Sequence, residues 1–430
     1  MFSDLVELFR LVVFVLLKGG WVVLVAALIY MFWKLYIDYI QIRYYNQQEW
    51  VYLSISAPRE SEKSPLAFEQ IFNQLHAIHS TYQPAERYIE GKIHIWFTWE
   101  MVGIGGTISN FVKILTKHRD TLEAAIYSQF PEAEITETDD YFDRLPRYHT
   151  DTSDFDIFAF SFKLANPDPY PIRSYLDFEH PTADTFVDPV TGIWEELGKL
   201  NPYEMFVVQY LIRPWDDKWK VKGYELVQKL KGVPEANRKP AGIGGIIGKV
   251  FGPFLDILIR PEPTMARPKK EEPPSLMLHL SEGEKIIIAA IERKLSKLSF
   301  KVKIRCLYLA PREKYNPSPV YTAVIGAFKS WRATNLNALK PDTDHWTKPH
   351  YWVDKDWEKS IHELRNKYRK RRFWSQIRRR FIIHGRKHMM LNSEELATIL
   401  HFPTIEVTVP RIEKVTVTKI QPPPELPVAP

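Results

Sequence analysis

The feature that most constrains this chain is its N-terminus. From Leu11 to Trp33 it reads LVVFVLLKGGWVVLVAALIYMFW, 23 residues with a single charge at Lys18. At 1.5 Å per residue such a stretch crosses a hydrocarbon core of about 30 Å. The Gly19-Gly20 pair divides it into an interfacial helix over residues 2–17 and a span from about Trp21 to Tyr39. Trp21, Trp33 and Tyr36 are the expected interfacial anchors, and either division gives one crossing. A cleaved signal peptide is the competing reading. Against it, Ala26-Ala27 is followed by the bulky run Leu-Ile-Tyr-Met-Phe-Trp instead of a small-residue cleavage site. Basic residues are slightly in excess after the span (Lys34, Arg43, Arg59 and Lys63 against Arg10 and Lys18), which puts the body on the cytoplasmic side of an inner membrane.

The remaining chain has ordinary globular composition, 45% hydrophobic and 26% charged over 430 residues, so several folded units are expected instead of disorder or many spans. One cysteine, Cys306, excludes an intrachain disulfide and agrees with a reducing compartment. Strands are expected at 50–57, 92–101 and 134–138, helices at 66–78 and 119–130, and a glycine-bearing connection at 103–107. A second βαβαβ series follows: strands at 156–164, 203–212 and 300–309, helices at 189–200 and 282–298, then a further helix at 320–331. The ends QFPEAEITE and LSFKVKIRC match in pattern, and two ferredoxin-like (split βαβ) units of common ancestry account for the repetition. The expected class is α+β: anchor 1–45, first unit 46–150, second unit 151–340, basic helical segment 341–403, and a strand with a proline-rich tail over 404–430. The second unit carries a Pro/Gly-rich insertion, 232–274, whose apolar run 242–259 either covers the sheet or touches a membrane or partner.

Most chemistry that the residues invite fails on inspection. Gly248-Lys249 lacks the preceding glycine and the hydroxyl of a phosphate loop, since Ile243 and Val250 stand in those places. At Gly103-Ile104-Gly105-Gly106 the third glycine of a dinucleotide fingerprint would fall on Ile108. Asp342, Asp344, His345 and His350 read as a solvated loop, and His384 and His388 flank Arg386-Lys387, a poor setting for a divalent ion. The adjacent carboxylates Glu195-Glu196, Asp216-Asp217 and Asp139-Asp140 diverge, so no catalytic pair, cofactor or metal is expected, and no enzyme.

What remains is charge. The net +6 hides a strong asymmetry, because Lys348–Lys387 alone holds 14 Lys/Arg against 4 Asp/Glu and the remainder totals −4. Trp357, Ile361, Leu364 and Tyr368 form one apolar helical stripe for docking. The candidate polyanion-binding residues are Arg365, Lys367, Arg369, Lys370, Arg371, Arg372, Arg378, Arg379, Arg380, Arg386 and Lys387. Nucleic-acid phosphates, anionic lipid and an acidic partner or solvent all suit such a face.

Three phrases carry a resemblance: SPLAFEQIFNQLHAI (64–78), EAAIYSQFPEAEITE (123–137) and LNSEELATILHFP (391–403). They resemble the membrane-anchored N-terminal region of HerA-like and conjugative coupling-protein-like DNA-translocating ATPases of type IV secretion. In the last phrase Asn392 caps a helix, with Glu395 three residues on, and Pro403 ends it. No P-loop motor is expected here, because Thr404–Ile420 runs into QPPPELPVAP. The resemblance therefore implies a non-enzymatic, membrane-anchored domain that docks a P-loop ATPase in trans, oligomeric if it follows the motor's symmetry, or one whose ATPase has been lost, or else a truncated copy of a longer ATPase. The alternative is a motor-independent, membrane-anchored nucleic-acid-binding protein using residues 348–387.

Overall fold

A computed structural model describes residues 21–56, 63–145, 148–178, 188–231, 280–347, 356–382 and 387–403, with Phe14 and Lys18 besides. The insertion, His350, His384, Arg386 and the strand expected at 404–420 lie outside the described residues.

The first helix, α1 (Trp21–Asn46), is 26 residues long, and its stretch Val25–Asn46 is long and apolar enough to cross a membrane. Leu28, Ile29, Tyr30, Met31, Phe32, Trp33 and Leu35 are all exposed, so apolar side chains face outward all round the helix, an arrangement that water disfavours. The helix joins the body at its C-terminal end. Ile40 is buried, and Tyr44 and Tyr45 pack with Trp50, Trp96, Phe381 and Ile382. Gly91 (φ 73°) lets the chain pass the Ile40 carbonyl, where a Cβ would come within 2.4 Å of the oxygen.

The body is one antiparallel sheet. Its strands are β1 (Trp50–Ser56), β2 (Phe97–Ile104), β3 (Thr107–Leu115), β4 (Glu134–Glu137), β5 (Phe155–Leu164), β6 (Met205–Trp215), β7 (Ser299–Pro311), β8 (Leu339–Pro341) and β9 (Met389–Asn392). Their order is β4-β1-β3-β2-β6-β7-β5-β8, and β9 pairs with the start of β7 beyond the reach of β5. Between the strands of the first half lie α2 (Leu66–Leu75) and α3 (Arg119–Gln129), which pack on each other. In the second half α4 (Pro189–Gly198) packs on α7 (Ser318–Ser330) in the same way.

Each half thus runs strand-helix-strand-strand-helix-strand, and in each the order across the sheet is fourth, first, third, second. The halves meet through their second strands, β2 and β6, in antiparallel register from Phe97↔Ile212 to Ile104↔Met205. The strand order is consequently a palindrome about that seam.

This corrects the expected βαβαβ series. Thr107–Leu115, TISNFVKIL, is a strand with alternate residues buried, and the glycine connection is a two-residue hairpin. Gly105 (φ 57°) and Gly106 (φ 83°) both adopt the left-handed conformation that a tight hairpin of this kind demands. In the second half the corresponding hairpin is replaced by α5 (Lys220–Leu230), the insertion and α6 (Glu282–Ser296). The helix equivalent to α3 is therefore α7 and not 282–298, so QFPEAEITE and LSFKVKIRC do not occupy equivalent places.

Alternation divides the sheet's two faces. Val51, Leu53, Trp99, Met101, Phe160, Phe206, Val208, Ile304 and Cys306 face α2, α3, α4, α7 and α9 (Ser393–Ile399) in the main core. Cys306 is a packing residue whose thiol burial pushes well up, so it says little of the compartment. The opposite face carries Tyr52, Val102, Ile157, Val207 and Leu307, covered by α8 (Asp356–Arg379). At α9 the expected N-terminus holds: Asn392 and Glu395 exchange side-chain and backbone bonds in a capping box.

Replacing Gly106 with alanine puts a Cβ 2.8 Å from the Gly198 carbonyl and demands positive φ. Gly106→Ala is expected to lower stability by about 1–3 kcal/mol in denaturant unfolding of the detergent-solubilised protein. Gly283→Ala, where nothing lies within 4 Å, is expected to leave it unchanged or raise it.

Candidate functional site: a basic cleft under α8

The helix α8 docks through Phe373, Trp374 and Ile377. The expected stripe does not dock: Ile361, Leu364 and Tyr368 are exposed, and the side chain of Trp357 lies outside the described set. The reason is leverage. Its apolar contacts with the sheet are made in its C-terminal third, where two aromatics and an isoleucine fill the groove between Phe142, Phe155 and Met205.

At that end the backbone carbonyls, unsatisfied by helix geometry, each find a donor. Arg305 reaches the carbonyls of Gln376 and Phe381, both at 3.1 Å. Gln209 donates to Ile377 (3.0 Å), Tyr45 to Arg379 (3.0 Å), Trp96 to Arg380 (2.9 Å) and Lys303 to Ile382 (2.6 Å). Both halves of the sheet and α1 thereby hold one helix terminus.

The next residue, Arg380, is a non-glycine at φ 52° and is 1% exposed. Its guanidinium donates to Glu100 Oε1 (2.7 Å) and Oε2 (3.1 Å), to both oxygens of Asp140, and to Tyr52 Oη (2.9 Å). Glu100 also accepts from Tyr52 (2.8 Å), Tyr141 (3.0 Å) and Gln209 (2.8 Å). Burial opposes the charged guanidinium, but Glu100, the tyrosines and Asp140 outweigh it and raise Arg380 further. Arg380 is thus a structural clamp, not a polyanion ligand.

Several other expected ligands are also engaged internally. Lys370 pairs with Asp156 (2.6 Å), Lys367 with Asp151 (2.6 Å) and Arg378 with Asp143 (3.0 Å). Arg371 donates to Thr150 Oγ1 (3.0 Å), and Arg369 to the carbonyls of Asp344 (2.6 Å) and Trp346 (3.2 Å). The acids of the body thus answer much of the segment's charge.

What the fold gathers is a cleft of about 310 Å³ between α8 and the sheet. Arg365, Arg369 and Arg372 enter it from the helix, Lys303 and Arg305 from β7, and Lys387 and His345 from flanking loops; among the described residues its lining contains no carboxylate. Arg365 and Arg372 have no ion-pair partner among the described residues, and Lys387 and Arg379 are exposed. Burial, with Arg305 and Arg213 nearby, pushes Lys303 down to about 7, and burial with Arg213 pushes Lys301 down to about 8. A half-buried concentration of like charge is unfavourable in the empty fold and is the kind of arrangement that marks binding sites.

The acidic cluster behaves otherwise. Ligand atoms of Asp342, Asp344 and His345 lie within 4.8 Å of one another, but Lys163 Nζ sits on both carboxylates at 3.3 and 3.0 Å. A lysine already supplies the positive charge there. Sequence reasoning missed Lys303, Arg305 and Glu100; the last had a signal, being a lone acid in the apolar run FTWEMV.

A family model matches residues 40–415, from the point where α1 meets the body through both halves, the clamp and the cleft. The chain belongs to the family described as Domain of unknown function (DUF8128). No curated protein matches it. Within this DUF8128 chain the matched region begins at Ile40, so the exposed apolar run from Leu28 to Leu35 precedes it.

Two outcomes follow. Arg380→Met leaves Glu100 and Asp140 without their cation and is expected to cost about 3–5 kcal/mol in denaturant unfolding, with Arg380→Met/Glu100→Met recovering part of it. Because Lys303 and Lys301 are held below their unfolded values, near 10.4, the folded state binds fewer protons than the unfolded one between about pH 7 and 10. Stability contributed by these lysines should therefore rise with pH from 7 to 9, and Lys303→Met should flatten that rise.

Proposed function

We propose that this chain is a membrane-tethered, non-catalytic docking domain whose cleft under α8 binds the phosphates of a nucleic acid. The observation that carries the reading is the convergence of Arg365, Arg369, Arg372, Lys387, Lys303 and Arg305 with no acid among the described lining residues. Arginine forks meet phosphate oxygens bidentately, and Tyr368, exposed at the cleft, offers a ring for a base or sugar. Membrane tethering is supported by the length and outward apolar surface of α1, and the basic excess after the span favours a cytoplasmic body.

The two halves are proposed to be ferredoxin-like units from one duplication. Their shared element order, shared strand order and equivalent helix pairs support this, although a helical excursion replaces the second hairpin. Docking of a DNA-translocating ATPase in trans, with conjugation or type IV secretion as its setting, is supported by the three phrases alone. An oligomer following the motor's symmetry belongs to that same reading.

The test is fluorescence anisotropy of the full-length protein in detergent with duplex DNA, single-stranded DNA and RNA at several salt concentrations. Arg365→Glu/Arg372→Glu/Lys387→Glu should weaken binding at least tenfold and reduce the salt slope by about 3. Lys367→Glu, at a side chain paired to Asp151, should change it far less. Unaltered affinity in the triple variant removes the cleft from the reading.

A further inference from the structure

A second cavity, about 590 Å³, opens beside the base of α1 and shares no lining residue with the cleft. Gln41 of α1 lines it, together with Arg87 and Tyr88 from the turn Glu86–Glu90 and Arg213, Trp215 and Asp216 from the end of β6. The Tyr88 ring lies 5.9 Å from that of Trp33, an expected interfacial anchor, and next to it Ile89 is 73% exposed. If α1 lies in a bilayer, this turn sits at its surface and the cavity at the depth of the headgroups.

The polar groups of the cavity are left unsatisfied in both signs. Arg213 is 8% exposed, no carboxylate pairs with it among the described residues, and its Nε has no hydrogen-bond partner. Its Nη2 lies 3.5 Å from His388 Nε2, and its guanidinium lies over Trp215 at 4.9 Å. His79 Nε2 is likewise buried without a partner. On the other side of the balance, Asp216 Oδ1 is buried without a partner, while Oδ2 is held at 3.4 Å by the exposed Lys218. Burial, with Arg213 and His79 nearby, lowers His94 to about 4, so it is neutral at pH 7, while Arg213, Arg87 and Lys218 bring positive charge to the cavity. A buried guanidinium and a buried carboxylate oxygen, both wanting partners and a few residues apart, suit a ligand that carries a phosphate and an ammonium together.

We propose that this cavity binds the headgroup of a phospholipid with a phosphate and a primary ammonium, the phosphate on Arg213 and Arg87 and the ammonium at Asp216. The assignment rests on α1 being embedded in a membrane. It gives the tether a specific lipid contact at its base, separate from the cleft.

The experiment uses the full-length protein, first floated with liposomes and then incubated in phosphatidylcholine nanodiscs doped with phosphatidylethanolamine or phosphatidylglycerol, with retained lipid counted by native mass spectrometry. Retention of phosphatidylethanolamine over phosphatidylcholine is expected. Arg213→Gln should cut retention of both doped lipids about fivefold or more. Asp216→Asn should lower phosphatidylethanolamine while sparing phosphatidylglycerol, and Arg365→Gln/Arg372→Gln should change neither. If Arg213→Gln does not fold, Arg87→Gln, at an exposed side chain, carries the same expectation. Undiminished retention in the arginine variants, or displacement by inorganic phosphate with no lipid held, overturns the assignment. Failure to float overturns the membrane reading on which it rests, whereas flotation without headgroup preference overturns this inference alone.

Discussion

The rest of the structure depends on the ionic clamp at Arg380. Glu100 and Gln209 are register partners across the β2–β6 seam, and Glu100 takes both the Arg380 guanidinium and the Gln209 amide, so one guanidinium is bound into the junction of the two halves. It reaches β1 through Tyr52 and the loop after β4 through Asp140. Dehydrating this set is unfavourable, and the Coulombic attraction only offsets that if every lone pair is satisfied, which here it nearly is. What the clamp contributes is therefore uniqueness of position: it sets where α8 ends, and the position of α8 defines the cleft.

Charge separation along the sequence looks different in that light. A segment of +10 followed a body of −4, as though the cations were reserved for an outside partner. In the fold, Asp140, Asp143, Asp151 and Asp156 answer Arg380, Arg378, Lys367 and Lys370. Part of the asymmetry is thus a docking code for α8. Surface members such as Arg378–Asp143 each add little, within about 1 kcal/mol. Arg365, Arg372 and Lys387 converge with buried lysine and arginine from β7.

Much of the fold was legible in the sequence because amphipathic helices and alternating strands carry their periods openly. The helices at 66–75, 119–129, 189–198 and 282–296 and the strands β1, β5 and β7 fall within a few residues of expectation. β3 escaped although its alternation is clean, because the glycines before it read as a loop leading to a helix. β8 is three residues ending in proline, too short to carry a period. In α8 the apolar stripe was real but unused, since a spacing rule cannot say which third of a helix meets the sheet. Arg380 was indistinguishable from its cationic neighbours, because its role is fixed by Glu100, 280 residues away.

The palindromic strand order has a consequence for how this protein meets its own copies. Two separate four-stranded sheets would each expose a long second strand, eight residues in β2 and eleven in β6, as an open template for another chain. Joining them there removes both templates at once. Among the described residues the strands left outermost are β4, β8 and β9, four, three and four residues long, and β8 ends in a proline that has no amide hydrogen to offer. The chain has used its two longest edges on itself, so among the described residues only short strands are left to template backbone pairing between copies.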